Sequence, residues 1–362
     1  MSVAAHHQAA VMLADGVSVG APDTFDNLTV FAILGRRQAE LGEFVTLEHA
    51  LSQQSAQVRE VDGAPASTRF GKSGSRLVPE VAEGRVNALV VQNRGAKPLL
   101  VLAGTVVKGG KQDRQIARDF VVGPGSEFDV EAYCVERGRW DGRREGSRTG
   151  GVFTTLDSLA GSQVRAAGQF ERNQSKVWAK VDTTNTIHGS HSITRTLVAT
   201  LGDSKIVERR DRLASRVQDY LDGQPQDQVV GLAYAVCGEV RSVRWFANAH
   251  LFGLYRNKLG KSAAMEALGS SSQESVQHSE PEDSEPEDSE PQHAEPQHAE
   301  PGATAADVAQ FVRAINEAPR TEDTAMEGGN KSRYYYGARG YGSTAHWSAA
   351  AGVPITTGYV KR

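Results

Sequence analysis

Short apolar runs separated by turn-forming residues dominate the first half of the chain. Runs of this length, rich in β-branched residues and bounded by Gly, Pro, Asn and Asp, are typical of strands. The runs predicted as strands are Leu28 to Leu34, Val86 to Gln92, Leu99 to Ala103, Phe128 to Val135 and Val229 to Val236. The connections Asn93 to Pro98 and Gly123 to Gly125 have the composition of hairpin turns. The front half is therefore predicted to be mostly antiparallel sheet.

Helical periodicity appears further along the chain. A helix is predicted over 206–221, with one apolar face formed by Ile206, Leu213, Val217, Tyr220 and Leu221. A second helix is predicted over 248–268. A third begins at Thr304, which Asp307 follows as in a capping box, and it ends before Pro319. These patterns predict an α+β fold, mostly antiparallel β-sheet or sandwich, with a few packed amphipathic helices and a disordered acidic insertion.

A five-residue repeat interrupts the globular sequence from Ser279, with the units SEPED, SEPED, SEPQH, AEPQH and a final AEP. Proline in every unit is incompatible with helix interiors and sheet ladders, and the acidic side chains leave no apolar surface to bury. We therefore predict a disordered linker over 271–302. The other predicted units are a flexible N-terminus over 1–24, a main α+β domain over 25–270, and a helix with closing strands over 303–362 that packs back on the main domain.

The charge of the chain is unevenly distributed. Residues 273–301 carry ten acidic side chains and no Lys or Arg, so removing them from a net charge of −4 leaves +6 on the rest. A mildly basic folded part favours an anionic small molecule over nucleic acid, for which a domain pI above about 9 is typical. Because the sequence shows no signal-peptide pattern and no apolar run of roughly 18 to 20 residues, we expect a cytoplasmic protein without membrane attachment. Cys134 and Cys237 lie in apolar runs and are predicted to be reduced core thiols.

Two clusters of cationic and glycine residues are the strongest candidates for a binding site. The first runs without interruption through Lys108, Gly109, Gly110, Lys111, Gln112, Asp113 and Arg114. Glycine exposes backbone N–H groups and the cations supply further donors, so a phosphate can be cradled here. The alternative interpretation is a basic, glycine-containing turn on a sheet edge.

The second cluster follows the strand predicted over 128–135 and consists of Glu136, Arg137, Gly138, Arg139 and Trp140. Arginine forks bind phosphate or carboxylate, and the tryptophan offers a flat face for a base. Glu136 is the candidate for a general base or for orienting an arginine. The alternative is an ion-paired surface loop. Because one strand separates the clusters, we predict that they meet at one end of a sheet and form a single anion site.

Other motifs give no complete catalytic or metal site. Gly71-Lys72-Ser73 and Gly260-Lys261-Ser262 resemble the end of a phosphate-binding P-loop, but Ala66 and Tyr255 stand where that motif requires glycine. Cys134 is a candidate nucleophile, although its apolar context favours a buried thiol. No group of residues has the spacing of metal ligands, and no cofactor can be named.

Four motifs occur in an order and spacing shared with a known family: Ala103-Gly104, Lys108 to Gln112, Gly123 to Ser126, and Cys134 to Trp140. In this region the chain resembles the ADP-ribosylglycohydrolase and rhodanese-phosphatase associated protein domain family of bacteria. The resemblance extends more weakly over Leu28 to Leu268 and Tyr334 to Val360. It implies a role in nucleotide or ADP-ribose signalling, stress or conflict systems without implying a reaction. An acidic residue often follows the glycine of the first motif, whereas Thr105 stands here; if that acid is catalytic in relatives, this chain only binds.

The leading hypothesis is a domain that binds or processes a phosphorylated small molecule derived from a nucleotide or ADP-ribose. Its anionic groups would be held by Lys108, Lys111, Arg114, Arg137 and Arg139, with Trp140 stacking on the ligand. The second hypothesis is a non-enzymatic interaction module, in which the basic face and the acidic linker bind a partner protein.

Overall fold

Two large antiparallel sheets set the architecture of the chain in a computed structural model. The structure describes residues 10–61, 88–140, 143–144, 147–149, 151–277, 302–325, 327–350 and 352–362. In chain order the strands are β1 (Val11–Ala14), β2 (Val17–Phe25), β3 (Leu28–Gly35), β4 (Val45–Thr46), β5 (Ala56–Glu60), β6 (Ala88–Asn93), β7 (Leu99–Val101), β8 (Thr105–Gly109), β9 (Arg114–Ile116), β10 (Phe120–Val122), β11 (Glu127–Cys134), β12 (Arg143–Arg144), β13 (Ser147–Arg148), β14 (Phe153–Leu159), β15 (Val229–Val236), β16 (Glu239–Phe246), β17 (Thr321–Ala325), β18 (Asn330–Tyr336), β19 (Gly340–Trp347) and β20 (Pro354–Lys361). The helices are α1 (Leu47–Ser52), α2 (Ser162–Gln169), α3 (Gln174–Ile187), α4 (Val198–Leu201), α5 (Ser204–Asp222), α6 (Ala249–Gln277) and α7 (Ala305–Asn316).

The larger sheet has nine antiparallel strands in the order β1-β2-β3-β15-β16-β20-β19-β18-β17. A six-stranded antiparallel sheet has the order β14-β8-β9-β11-β6-β5. Strands β10, β7 and β4 form a small third sheet, in which β4 and β7 are parallel. Strands β12 and β13 form a two-stranded antiparallel sheet. The predicted α+β class with mostly antiparallel sheets is therefore confirmed.

Helices cover both faces of the nine-stranded sheet. Phe31 and Ile33 of β3 pack with Val308 and Phe311 of α7 in one apolar cluster. Alternate residues of the same strand face the other way, into a cluster formed with α5 and α6. Because both faces are buried, the strands between them are continuously apolar, as in β3 and β15, and do not alternate with polar residues.

Both predicted hairpin turns are wrong. The segment Asn93 to Pro98 leads from β6 in the six-stranded sheet to β7 in the three-stranded sheet, and Gly123 to Gly125 leads from β10 back to the six-stranded sheet. The side chain of Asn93 explains the first change of direction, because its Nδ2 donates to the carbonyl oxygens of Lys97 at 2.8 Å and Val122 at 3.0 Å. These two bonds fix the end of β6 to the turn that follows it and to β10 of the three-stranded sheet.

Two predicted boundaries of irregular structure also need correction. Residues 11–24 were expected to be a flexible N-terminus, but they form β1 and most of β2, because their apolar residues pack beside β3 and α7. The linker was expected to begin at residue 271, whereas α6 continues to Gln277. The whole repeat, which begins at Ser279, lies outside the described residues, as do residues 1–9.

The third helix begins as predicted. Thr304 Oγ1 accepts from the backbone N–H of Asp307, and the Asp307 carboxylate accepts from the N–H of Thr304 at 2.8 Å, which completes a capping box. After α7 the chain enters the nine-stranded sheet, where β20 pairs with β16. No helix within the described ranges is long and apolar enough to cross a membrane.

Candidate functional site

Arg139 joins the two predicted clusters. Its Nε donates to both carboxylate oxygens of Glu136 at 3.0 Å, and Nη1 and Nη2 donate to the carbonyl oxygens of Gly110 at 2.7 Å and Gly109 at 3.2 Å. Its Nη2 also lies 3.6 Å from Oδ1 of Asp113. Only 4% of the Arg139 side chain is exposed. The two glycine-rich turns do meet, and the contact between them is a buried ion-paired cluster.

We call Asp113, Glu136 and Arg139 the Arg139 cluster. The backbone N–H of Asp113 donates to Oε2 of Glu136 at 3.1 Å, and Oδ2 of Asp113 accepts from Thr196 Oγ1 at 2.7 Å. Both carboxylates are almost completely buried. Burial alone would raise the pKa of Glu136, but the hydrogen bond from Arg139, the N–H of Asp113 and the Arg139 charge outweigh it, so its pKa lies below the usual range. Glu136 is thus a buried anion that fixes an arginine.

The glycines in the first turn are required by the shape of the backbone. Gly109 has φ +144° and Gly110 has φ +48°. A Cβ on Gly109 would lie 2.1 Å from the carbonyl oxygen of Val152, which no neighbouring backbone could accommodate. The amide of Gly109 donates to Oδ1 of Asp113 at 3.0 Å, and that of Gly110 donates to the Val152 carbonyl at 3.4 Å. The two amides predicted to cradle a phosphate are therefore bound within the protein.

Gln112 and Arg114 point into the interior. Gln112 Nε2 donates to the carbonyl oxygen of Glu136 at 3.0 Å, and its Oε1 accepts from Nη1 of Arg114 at 2.9 Å. The same Nη1 contacts Sγ of Cys134. Burial raises the pKa of the Cys134 thiol against the opposing charge of Arg114, so the thiol is held in its protonated, weakly nucleophilic form. Cys237, the second cysteine, is only half-buried, in the turn between β15 and β16.

Four of the predicted site residues reach solvent around the Arg139 cluster, and we call them the exposed basic surface: Lys108, Lys111, Arg137 and Trp140. Lys108 is half-buried, and Lys111 Nζ lies 3.6 Å from Oε2 of Glu60. The guanidinium of Arg137 lies over the ring of Trp178, 5.6 Å from its centroid. Trp140 is 56% exposed. Gly138, between them, is exposed and its N–H donates to the carbonyl oxygen of Thr194 at 2.9 Å.

Apolar side chains are also exposed on the loops that the Arg139 cluster holds. Val152, whose carbonyl accepts from Gly110, is 65% exposed, and Ile193, which precedes Thr194, is fully exposed. Trp140 directly follows Arg139. Exposed apolar side chains mark an interaction site when they form a contiguous patch, whereas apolar residues exposed singly are common on protein surfaces.

Sequence reasoning missed two members of this arrangement. Asp113 lies inside the first cluster, but the search for cations gave it no role; an acid between two glycines and an arginine is the signal that would have indicated an ion pair. Thr196 is 83 residues away in sequence from Asp113, its hydrogen-bond partner, and no local pattern indicates that contact.

The fold and the site together define an α+β protein with mostly antiparallel sheets and a basic loop surface anchored by a buried ion-paired cluster. The chain belongs to the ARG and Rhodanese-Phosphatase-superfamily-associated Protein domain family, whose model matches residues 16–349. This match confirms the family that the motifs between Leu99 and Trp140 indicated. The family description names an association with ARG, the ADP-ribosylglycohydrolases, and with the rhodanese-phosphatase superfamily. No curated protein and no solved structure shows significant similarity to the chain.

Proposed function

We propose that this chain is a cytoplasmic protein that binds a phosphorylated small molecule, derived from a nucleotide or ADP-ribose, on its exposed basic surface. The observation that carries the proposal is the position of Trp140, a half-exposed indole directly after a buried, ion-paired arginine. An exposed aromatic ring offers a flat surface on which a base can stack. Because the backbone next to Trp140 is already fixed by Arg139, the protein loses little further conformational entropy when a ligand binds there. The association of the family with ADP-ribosylglycohydrolases supports a ligand that contains ADP-ribose.

The charged residues divide into two roles. Arg114, Gln112 and Arg139 hold the loops together, since their polar groups bind protein atoms in the interior. Lys108, Lys111 and Arg137 supply the cationic contacts to phosphate, and Arg137 is oriented by its contact with Trp178. A charge-assisted hydrogen bond of this kind contributes about 1.5 to 3 kcal/mol. No reaction is proposed, because the Glu136 carboxylate is buried against Arg139 and does not face a ligand on the surface.

Calorimetric titration with ADP-ribose, ADP and adenosine tests this proposal. We expect saturable binding of the two phosphorylated compounds, with adenosine binding at least tenfold more weakly. Arg137→Ala and Trp140→Ala should each weaken binding about tenfold to a hundredfold. Arg212→Ala removes an exposed cation of α5 and serves as the matched control, which should bind like the wild type. Absence of saturable binding by the wild-type chain would overturn the proposal.

Val152 and Ile193 favour a second candidate function, the recognition of a partner protein. A stacking site for a small molecule has no use for two further exposed apolar side chains on neighbouring loops, whereas a protein interface combines such residues with arginine and tryptophan. In this function an acidic partner surface would bind the cations, and Val152→Asp or Ile193→Asp would abolish binding of the partner. The same two variants should leave nucleotide binding unchanged under the leading proposal.

A further inference from the structure

A pocket with a volume of about 240 Å³ lies where α2, α3, α4 and α6 meet. The apolar side chains that line it are Leu159, Val164, Ile187, Leu197, Leu201 and Met265. Polar side chains complete the lining, among them His188 and Glu266. No residue of the pocket belongs to the exposed basic surface or to the Arg139 cluster. Apolar walls with a few converging polar groups are typical of a site for a small molecule.

His188 brings an unused imidazole ring to this pocket. It follows the last residue of α3 and is half-buried, and its ring nitrogens make no hydrogen bond within the part of the chain that the structure describes. Burial, together with the charge of Arg209, lowers the pKa of His188, so the ring is neutral at pH 7 and carries one donor and one acceptor. A Cβ on Gly269 would lie 3.2 Å from Nε2 of His188, so glycine at this position keeps space open beside the ring.

Glu266 adds a hydrogen-bond acceptor on the same side of the pocket. It lies three residues before Gly269 on α6, so the two residues share one face of that helix. Its carboxylate accepts from the backbone N–H of Ser162 and, at 3.0 Å, from the Ser162 hydroxyl. A carboxylate has about four lone-pair sites, so about two remain for a ligand. The pocket therefore offers an acceptor at Glu266 and either a donor or an acceptor at His188.

The charges around the pocket favour an uncharged ligand. Burial lowers the pKa of Arg165 and the charge of Glu266 opposes this shift, so the two groups already act on each other. Arg241, which also lines the pocket, forms an ion pair with Glu239 at 3.2 Å. A ligand of either sign would be attracted by one of Glu266 and Arg241 and repelled by the other, and it would lose its hydration on entering. An uncharged ligand avoids both penalties.

The volume limits the size of the ligand. Since an apolar cavity of about 150 Å³ holds benzene, this pocket holds one ring with a substituent, or about ten non-hydrogen atoms. The thioether of Met265 favours an aromatic ring, because sulfur makes favourable contacts with ring edges.

We propose that this pocket binds a small, uncharged, planar ring compound that carries an amide or lactam group. The ring lies between the apolar side chains, the amide N–H donates to Glu266, and the amide carbonyl accepts from the imidazole N–H of His188. The pocket is separate from the exposed basic surface, so the proposal holds whether or not that surface binds a nucleotide.

Calorimetric titration of the full chain with benzamide, benzoate and benzylamine tests this site, because the three probes share a ring and differ in charge. We expect saturable binding of benzamide with a dissociation constant below about 1 mM, and binding of the two charged probes at least about tenfold weaker. His188→Phe keeps a ring and removes both ring nitrogens, so it should weaken benzamide binding about tenfold. His191→Phe, at an exposed histidine three residues further along, is the matched control and should bind like the wild type.

A crystal structure of the wild-type chain with benzamide gives a measurement that does not depend on a variant folding. We expect the amide nitrogen within hydrogen-bonding distance of the Glu266 carboxylate and the amide oxygen within that distance of a ring nitrogen of His188. Arg137→Ala and Trp140→Ala alter the exposed basic surface and should bind benzamide like the wild type, so this site and the nucleotide site can fail separately. No saturable binding of benzamide, equal binding of the three probes, or benzamide bound only outside the pocket would each overturn the proposal.

Discussion

Asn330 of β18 binds the main chain of Val121 in β10 with both groups of its side-chain amide. Its Nδ2 donates to the Val121 carbonyl and its Oδ1 accepts from the Val121 N–H, each at 2.8 Å. The side chain of Asn330 thus makes the pair of hydrogen bonds that a neighbouring strand would make with Val121. It joins the C-terminal part of the nine-stranded sheet to the small three-stranded sheet, although the two residues are 209 positions apart in sequence. All of these groups are buried.

We expect Asn330→Ala to lower the free energy of unfolding by about 2 to 6 kcal/mol, because two buried backbone groups lose their partners at about 1 to 3 kcal/mol each. Denaturant unfolding measures this change. Lys331→Ala, at the adjacent exposed position, should change stability by less than about 0.5 kcal/mol. Equal effects of the two variants would show that the pairing with Val121 contributes little.

Alanine substitutions at Arg139 and at Arg137, two residues apart, should have very different effects on the stability of the protein. Arg139→Ala leaves Asp113 and Glu136 as buried carboxylates without their cation, so we expect a loss of about 3 to 5 kcal/mol of stability. Arg137→Ala removes an exposed guanidinium and should cost less than about 1 kcal/mol. Urea unfolding of both variants tests the assignment of Arg139 to loop anchoring; a fully stable Arg139→Ala protein would contradict it.

The carboxylate of Glu136 should contribute to acid unfolding. Its pKa is lower in the folded protein than the value of about 4.3 in an unfolded chain, so its contribution to stability is fully present above that value and is lost as the pH falls through the folded pKa. Glu136→Gln cannot titrate. We therefore expect the stability advantage of the wild type over Glu136→Gln to be constant from pH 5 to 7 and to shrink below about pH 4. If the difference in stability between the wild type and Glu136→Gln does not change with pH, the ion pair of Glu136 with Arg139 is not its cause.

Residues 304–362 should belong to the same cooperative unit as the rest of the chain. Truncation after Ala303 removes α7 and the four strands β17 to β20, which exposes the hydrogen-bonding edge of β16 and one apolar face of the nine-stranded sheet. An unpaired edge next to an uncovered apolar face promotes aggregation. We expect an aggregated or molten product, measured by size-exclusion chromatography and thermal unfolding. A monomeric truncate that unfolds cooperatively would contradict this prediction.

The sequence by itself determined the elements whose cause is local. The strands β3 and β15 were predicted close to their bounds because a short continuous apolar run between turn formers is typical of a strand buried on both faces. The helix α5 was predicted because its hydrophobic periodicity records which side of the helix is buried. The capping box at Thr304 was readable because its partners are three residues apart. The order of glycines and cations between Leu99 and Trp140 was enough to indicate the family.

Tertiary structure alone decided which chemical groups meet. The hairpin predictions failed because turn composition does not specify to which sheet the next strand belongs, and a side chain, Asn93, settled it. Arg139 and Arg137 look equivalent in sequence, yet one is ion-paired in the interior and the other is exposed, because the charge of a residue does not reveal its burial. The contacts of Asp113 with Thr196, and of Arg165 with Ser242, join residues more than 75 positions apart, and only the folded chain brings such groups within hydrogen-bonding distance.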